Sequence, residues 1–280
     1  MAGPSFTVGM IAFNCARWLP ATLAQVAFWA DRIIVVHGCT PEMVQMGLAH
    51  ASGDSIDDTS EVLGAQALLY PNLEIVEAGV QPHRNALRNL YLSRCVTDWL
   101  LVLDHDEFYA PESLELIKAE AENASRICIA SRWHEYYLWT RRYEQDGPPM
   151  ERIVRLEQGM EYPDLNSGQF IVRRDGSKIW SQAHYRPEII CHHYNRVLDP
   201  GDLALKLAYY ANRDLNQPLC VALRTPKELI ALRKSAGGGV FVPLADQPPA
   251  ARNLLQSEIA PLGSCLALLD IKNGGFSWQT

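Results

Sequence analysis

What the sequence lacks excludes several classes of protein. No uncharged apolar run approaches the roughly 18 residues of a membrane-spanning helix. No basic region leads into an apolar stretch at the start, so a signal peptide is not expected. Peripheral attachment to a membrane stays open. Basic residues are in deficit: 25 Lys and Arg stand against 32 Asp and Glu, a formal net charge of -7, so a nucleic-acid partner is not expected. The cysteines (Cys15, Cys39, Cys95, Cys128, Cys191, Cys220 and Cys265) are odd in number and scattered, with no Cys-x-x-Cys. They read as reduced thiols of a cytoplasmic protein rather than a disulfide frame or a zinc site. There is no internal repeat, and no Gly-rich phosphate loop with a basic residue follows the first predicted strand.

What is present suits a large core. The chain has 280 residues and 48% hydrophobic content, enough for one big domain or a domain with an appendage. Phe6 to Phe13 reads as a buried strand, Trp18 to Ala30 as a helix with Pro20 in its first turn, and Arg32 to His37 as a β-branched strand. Strand, helix and strand at this spacing make a βαβ unit and hence a parallel sheet. After an irregular stretch, Gly38 to Asp58, come a helix at Thr59 to Leu69, a strand at Leu73 to Glu77 and a helix at Pro82 to Cys95. Strands are expected again at Arg126 to Ser131, running into the aromatic stretch Trp133 to Trp139, and at Glu188 to His192. Glu151 to Leu156 alternates charged and apolar residues and reads as a half-exposed strand, with Gln169 to Arg173 as its hairpin partner. Helices are expected at Asp202 to Leu215 and Pro226 to Lys234, ahead of a Gly- and Pro-rich, weakly attached C-terminal part.

The stretch that organises the chain is Asp104-His105-Asp106-Glu107, directly after the apolar run Trp99 to Leu103. Three carboxylates thus sit where a buried strand ends, and in open α/β sheets ligands bind at the carboxyl ends of strands. Carboxylate oxygens are hard ligands that suit Mg²⁺ or Mn²⁺, and such an ion neutralises a diphosphate. The competing reading is an acidic solvated turn with Glu112 near a helix start. Upstream, Ser55-Ile56-Asp57-Asp58-Thr59 has ordinary helix-start composition. Arg84 and Arg88 share one helical face and are suited to a diphosphate, the alternative being a solvated basic face. Arg84, at the helix start, is the favoured of the two.

Taken in order, these features resemble the GT-A glycosyltransferases, in particular the large family 2 of inverting enzymes. Ile11-Ala12-Phe13-Asn14 and Leu19-Pro20 are similar to that family's first strand, loop and helix start. Ser55, Asp57 and Thr59 match its motif after the second strand, although Gly53-Asp54 is inverted and the insertion Gly38 to Ser52 displaces it. Asp104-His105-Asp106 matches the family's Asp-x-Asp. The likeness covers residues 6 to 110 well and 126 to 196 loosely.

The resemblance implies an α/β GT-A fold, a Rossmann-like, mixed but mostly parallel sheet flanked by helices. It implies metal-dependent transfer of a sugar from a nucleotide-diphosphate sugar to a carbohydrate or other glycan acceptor, with inversion. Asp104 would lie near ribose and metal, and Asp106 would be the more direct ligand of Mn²⁺ or Mg²⁺. Phe13 and Asn14 would line the base pocket. His37 stands where the family has a base-contacting Asp, and Asp54 or Asp57 could return to the site from the insertion. Some GT-A enzymes complete the metal site with a late His, which makes His192 or His193 candidates ahead of His184. Strand alternation allows only one of the adjacent pair to face the site. For the base that takes the acceptor's proton, the family's His-Glu pair is absent after Gly159-Met160-Glu161-Tyr162. Glu135, Glu151 and Asp164 are the candidates, with Glu135 favoured. The domain would span 1–215, a nucleotide-binding half to about 110 and an acceptor half beyond, with 216–280 as an extension. Two other readings remain: a sugar nucleotidyltransferase, and a non-catalytic nucleotide- or carbohydrate-binding module.

Overall fold

The protein was analysed as a computed structural model, which describes residues 3–123, 125–138, 141–143, 147–163, 171–194, 239–241 and 246–254. Asp164 and the helices expected at Asp202 to Leu215 and Pro226 to Lys234 lie outside these residues, as does the 215/216 boundary.

The first half alternates strand and helix as the apolar pattern requires: β1 (Phe6–Ala12), α1 (Leu19–Val26), β2 (Arg32–Cys39), α2 (Pro41–Gln45), α3 (Thr59–Leu69), β3 (Leu73–Val80), α4 (Arg84–Leu92) and β4 (Trp99–Val102). The four strands pair in parallel in the order β3-β2-β1-β4. Strands buried on both faces read as continuous apolar runs, and β2 shows why. Ile33 and Val35 pack with Phe6, Val8, Leu23 and Leu63 on one side. Ile34 and Val36 pack with Leu87 and Tyr91 of α4 on the other. Helix α4 begins with His83 as its cap, whose Nδ1 accepts from the Ala86 amide at 3.0 Å.

Beyond β4 come β5 (Glu107–Tyr109), α5 (Pro111–Ala121), β6 (Cys128–Leu138), β7 (Arg141–Tyr143), β8 (Gly147–Arg155), β9 (His184–His193) and β10 (Gly239–Phe241). Strand β8 runs antiparallel between β4 and β6. Strand β9 lies parallel to β6 and antiparallel to the short β5. Two expectations are corrected here. The 151–156 segment is a central strand, with Arg152, Ile153 and Val154 all buried, so its charge alternation does not mark a solvent face. Among the described residues of the expected hairpin partner, Val172 bridges Glu161 and Lys178 instead of β8. From Trp133 to Leu138 the aromatic stretch prolongs β6. Nor is the C-terminal part wholly loose: the Tyr194 hydroxyl donates to Gln247 Oε1 at 2.7 Å, and Ala251 is buried among Trp18, Phe108, Tyr136 and Tyr194.

The insertion after β2 folds back onto the sheet. It carries α2 and a turn closed by an Ala49–Ser55 bridge. Gly53 has φ of +96°, and a Cβ there would lie 2.4 Å from the Gly79 carbonyl carbon and 2.6 Å from the Val80 nitrogen. Both contacts are backbone, so neither can swing away. Gly53→Ala is expected to cost about 2 kcal/mol or more from strain and overlap combined, read as a lower urea midpoint; an unchanged midpoint would show that the insertion does not press on β3.

Candidate active site

The site is built at the carboxyl ends of β1, β2 and β4. Where β1 ends, Asn14 takes a left-handed φ of 46° and turns the chain into α1. Its side chain ties the loop to the insertion: Nδ2 donates to the Leu48 carbonyl at 2.8 Å, and Oδ1 accepts from the Ile56 amide at 3.0 Å. The Ser55–Thr59 turn answers along the same seam. The amides of Asn14, Cys15 and Ala16 donate to Ser55 Oγ, Thr59 Oγ1 and Asp57 Oδ2 at 3.0, 2.8 and 3.0 Å. Asp57 also accepts from the Thr59 amide at 3.1 Å. Below the turn, the buried His37 ring makes a 3.1 Å contact to Ser55 Oγ through Nε2 and a 2.8 Å contact to Glu77 Oε2 through Nδ1. Asp54 brings a ligand-type atom within 4.8 Å of those of His37 and Glu77.

The acidic stretch lies between β4 and β5. Three carboxylates within four residues repel one another, and the fold surrounds them with cations. Arg152, 4% exposed, donates from a single nitrogen, Nη2, to Asp104 Oδ2 at 2.8 Å and to Glu107 Oε1. The other Glu107 oxygen accepts from the Asp104 amide at 3.0 Å. Arg88 is buried too: its Nη1 donates to Asn85 Oδ1 at 3.0 Å and its guanidinium lies over the Tyr162 ring, 5.7 Å from the centroid. Burial alone would raise the Asp104 carboxyl, but Arg152 and Arg88 outweigh it and hold it below the usual carboxylate range. The stabilisation Asp104 supplies is therefore complete above about pH 4 and is lost as pH falls through its lowered value. Burial pushes Glu107 the other way, against the pull of Arg152.

Asp106 is buried and faces β9. His193 Nε2 lies 3.6 Å from its Oδ1, and His105 Nε2 3.9 Å from its Oδ2. Two donor atoms that bind one ion at about 2.1 Å each can be at most about 4.2 Å apart, so Asp106 and His193 fit a shared Mn²⁺ or Mg²⁺. His192 does not join them. It points to the other side of β9, where its Nδ1 contacts the Tyr136 hydroxyl at 2.9 Å and its ring stacks on Tyr136. Of the two alternatives, His192 and His193, alternation along the strand thus turns only His193 towards Asp106. Asp104, also expected at the metal, has one oxygen committed to Arg152.

A sequence profile described as glycosyl transferase family 2 matches residues 7–180. The chain belongs to glycosyl transferase family 2. Its sheet, parallel through β3-β2-β1-β4 with antiparallel strands beyond β4, is the GT-A arrangement of that family. No curated protein matches the sequence significantly. Solved structures that align include the mannosyltransferase PcManGT from Pyrobaculum calidifontis in complex with GDP-Man and Mn²⁺, at 16% identity over 95% of this chain and 79% of that one, with a TM-score of 0.48. S. aureus TarS 1-349 in complex with UDP-GlcNAc aligns at 13% identity over 83% and 71%, with a TM-score of 0.49. Glucosyl-3-phosphoglycerate synthase from Mycobacterium tuberculosis in complex with Mn²⁺, UDP and glucosyl-3-phosphoglycerate aligns at 15% over 48% and 45%, with a TM-score of 0.34. In two further TarS structures the alignment covers only 36% and 66% of the TarS chain.

Against the family pattern, the remaining residues fall as follows. Phe13 is half-buried in the loop after β1, and Arg84 is half-buried at the first position of α4. Glu135 pairs in register with His193, which pairs with Glu107, so these three form one row across β6, β9 and β5. Asn14, Asp57 and His37 spend their polar atoms on the seam just described. His184 lies at the far end of β9, 3.9 Å from Glu120. Among the described residues no helix is long and apolar enough to cross a membrane. Sequence reasoning missed Arg152 altogether and left Arg88 undecided. The signal was the charge imbalance itself, since three carboxylates at the end of a buried strand require cations from elsewhere in the chain. Removing Arg152 alone, as Arg152→Met, leaves Glu107 and Asp104 without their shared donor. The expected loss is about 3–5 kcal/mol by urea unfolding, and a loss under about 1 kcal/mol would mean the pair is solvated.

Proposed function

We propose that this protein transfers a sugar from a nucleotide-diphosphate sugar to a hydroxyl-bearing, glycan-type acceptor, with inversion, using Mn²⁺ or Mg²⁺ held by Asp106 and His193. The observation that carries this reading is the 3.6 Å approach of Asp106 Oδ1 and His193 Nε2, a carboxylate and an imidazole from distant parts of a family 2 chain. When bound, the divalent ion stabilises the negative charge that develops on the departing diphosphate. Arg84, at the N-terminal end of α4, meets the diphosphate with a bidentate donor and a favourable helix dipole. Phe13 packs against the base. Glu135 takes the proton from the acceptor hydroxyl as its oxygen bonds to the anomeric carbon. The electron pair of the broken glycosidic bond leaves on the diphosphate oxygen. Asp164 is the alternative base.

Two measurements test the reading. Asp106→Ala should abolish metal-dependent release of nucleoside diphosphate from a nucleotide sugar while the protein still melts cooperatively; undiminished turnover would remove Asp106 from the site. A thermal-shift series with UDP, GDP, CDP and dTDP, each with and without Mn²⁺, should show one nucleotide raising the melting temperature only when Mn²⁺ is present. Pyrophosphate release from a sugar phosphate and a nucleoside triphosphate would instead identify a nucleotidyltransferase.

A further inference from the structure

Arg152 and Trp133 close a ring around the Asp-x-Asp motif. Starting from Asp104, the chain of contacts runs to the Arg152 guanidinium at 2.8 Å and on to the Trp133 ring, 5.6 Å from the guanidinium carbon. The Trp133 ring packs on His193 with centroids 4.3 Å apart, and His193 returns to Asp106 at 3.6 Å. Every link except the motif itself comes from β6, β8 or β9. All the residues of the ring are buried apart from Asp104, whose side chain is 30% exposed.

We propose that Arg152 is a positioning residue that keeps Asp104 off the divalent ion, so that Asp106 and His193 are the only residues of the ring that bind it. The argument is one of competition for an oxygen. Asp104 Oδ2 already accepts from Arg152, whose nitrogen is anchored by Glu107 and whose guanidinium plane is braced by Trp133. A divalent ion on that oxygen would stand beside a fixed guanidinium charge, which repels it at short range in a poorly solvated setting. With only Asp106 and His193 from the ring, the ion keeps positions open for water and for diphosphate oxygens, the pattern that hard ions adopt at nucleotide sites. Mn²⁺ should then bind weakly alone and firmly with a nucleoside diphosphate. This inference rests on the proposed metal site and extends it to the division of labour between the two aspartates.

The test is direct Mn²⁺ titration, followed by the electron paramagnetic resonance signal of free Mn²⁺, so it needs no catalysis. Asp104→Asn should leave the Mn²⁺ Kd within threefold of the unaltered protein, whereas Asp106→Asn should weaken it more than tenfold. The double variant Arg152→Met/Glu107→Gln removes the guanidinium together with its anchoring charge, so the fold is not left with an uncompensated Glu107. In it Asp104 is released, and Mn²⁺ without nucleotide should bind at least fivefold more tightly. Equal losses in Asp104→Asn and Asp106→Asn would overturn the proposal, as would an unchanged Kd in a folded double variant. If the double variant does not fold, the two aspartate variants decide alone. Failure of the unaltered protein to bind Mn²⁺, even with the four nucleoside diphosphates, would overturn the metal site itself, an outcome distinct from the other two.

Discussion

A guanidinium group shared by two carboxylates is the contact on which the rest of the site depends. Burying Arg152 without partners would be prohibitive, and so would burying Glu107. Each is tolerable only because the other is there, and Asp104 completes the set. That condition fixes the relative places of β4, β5 and β8, since a shift of any one would strand a charge. It also explains why β8, despite three charged residues in its last five positions, runs through the middle of the sheet. A charge in a strand is not a solvent marker when the neighbouring strand ends in acid.

A second constraint acts at the neighbouring loops. The amides of Asn14, Cys15 and Ala16 and the side chains of Ser55, Asp57 and Thr59 saturate one another, so little of their hydrogen-bonding capacity faces outward. The family's motif after the second strand is thus retained in chemistry but used as a seam between the β1 loop and an inserted turn. His37 sits beneath that seam and links it to Glu77 of β3.

The parallel half of the sheet was legible because both of its signals are local. Continuous apolar strands and a Pro-initiated helix each declare themselves within ten residues, and β1 to β4 lie close to where the pattern puts them. The Asp-x-Asp was legible for the same reason. The cations around it were not, because Arg152 enters through a pairing 48 residues away and its charge looked like one side of an alternating strand. His192 and His193 are identical in composition and adjacent in sequence. Only the register with β5, Phe108 opposite His192 and Glu107 opposite His193, separates them. Asn14 and Asp57 were assigned to the donor from the family pattern; in the structure Asn14 donates to Leu48 of the insertion, while Asp57 accepts from Ala16 of the β1 loop and from Thr59.

The Asp-x-Asp is laid down early in the chain, but the groups that neutralise and complement it come from β8 and β9, much later. During synthesis the amino-terminal strands emerge and can pair while Asp104, Asp106 and Glu107 still crowd one strand end without Arg152 or His193. Such an intermediate holds its acidic end solvated and loosely formed, since burial without the late strands would isolate those charges. Consolidation of this corner is therefore tied to long-range contacts, the slow class in folding. A nascent chain stopped before β8 carries the four parallel strands and the three carboxylates but neither Arg152 nor His193, so this corner closes only after β8 and β9 have been made.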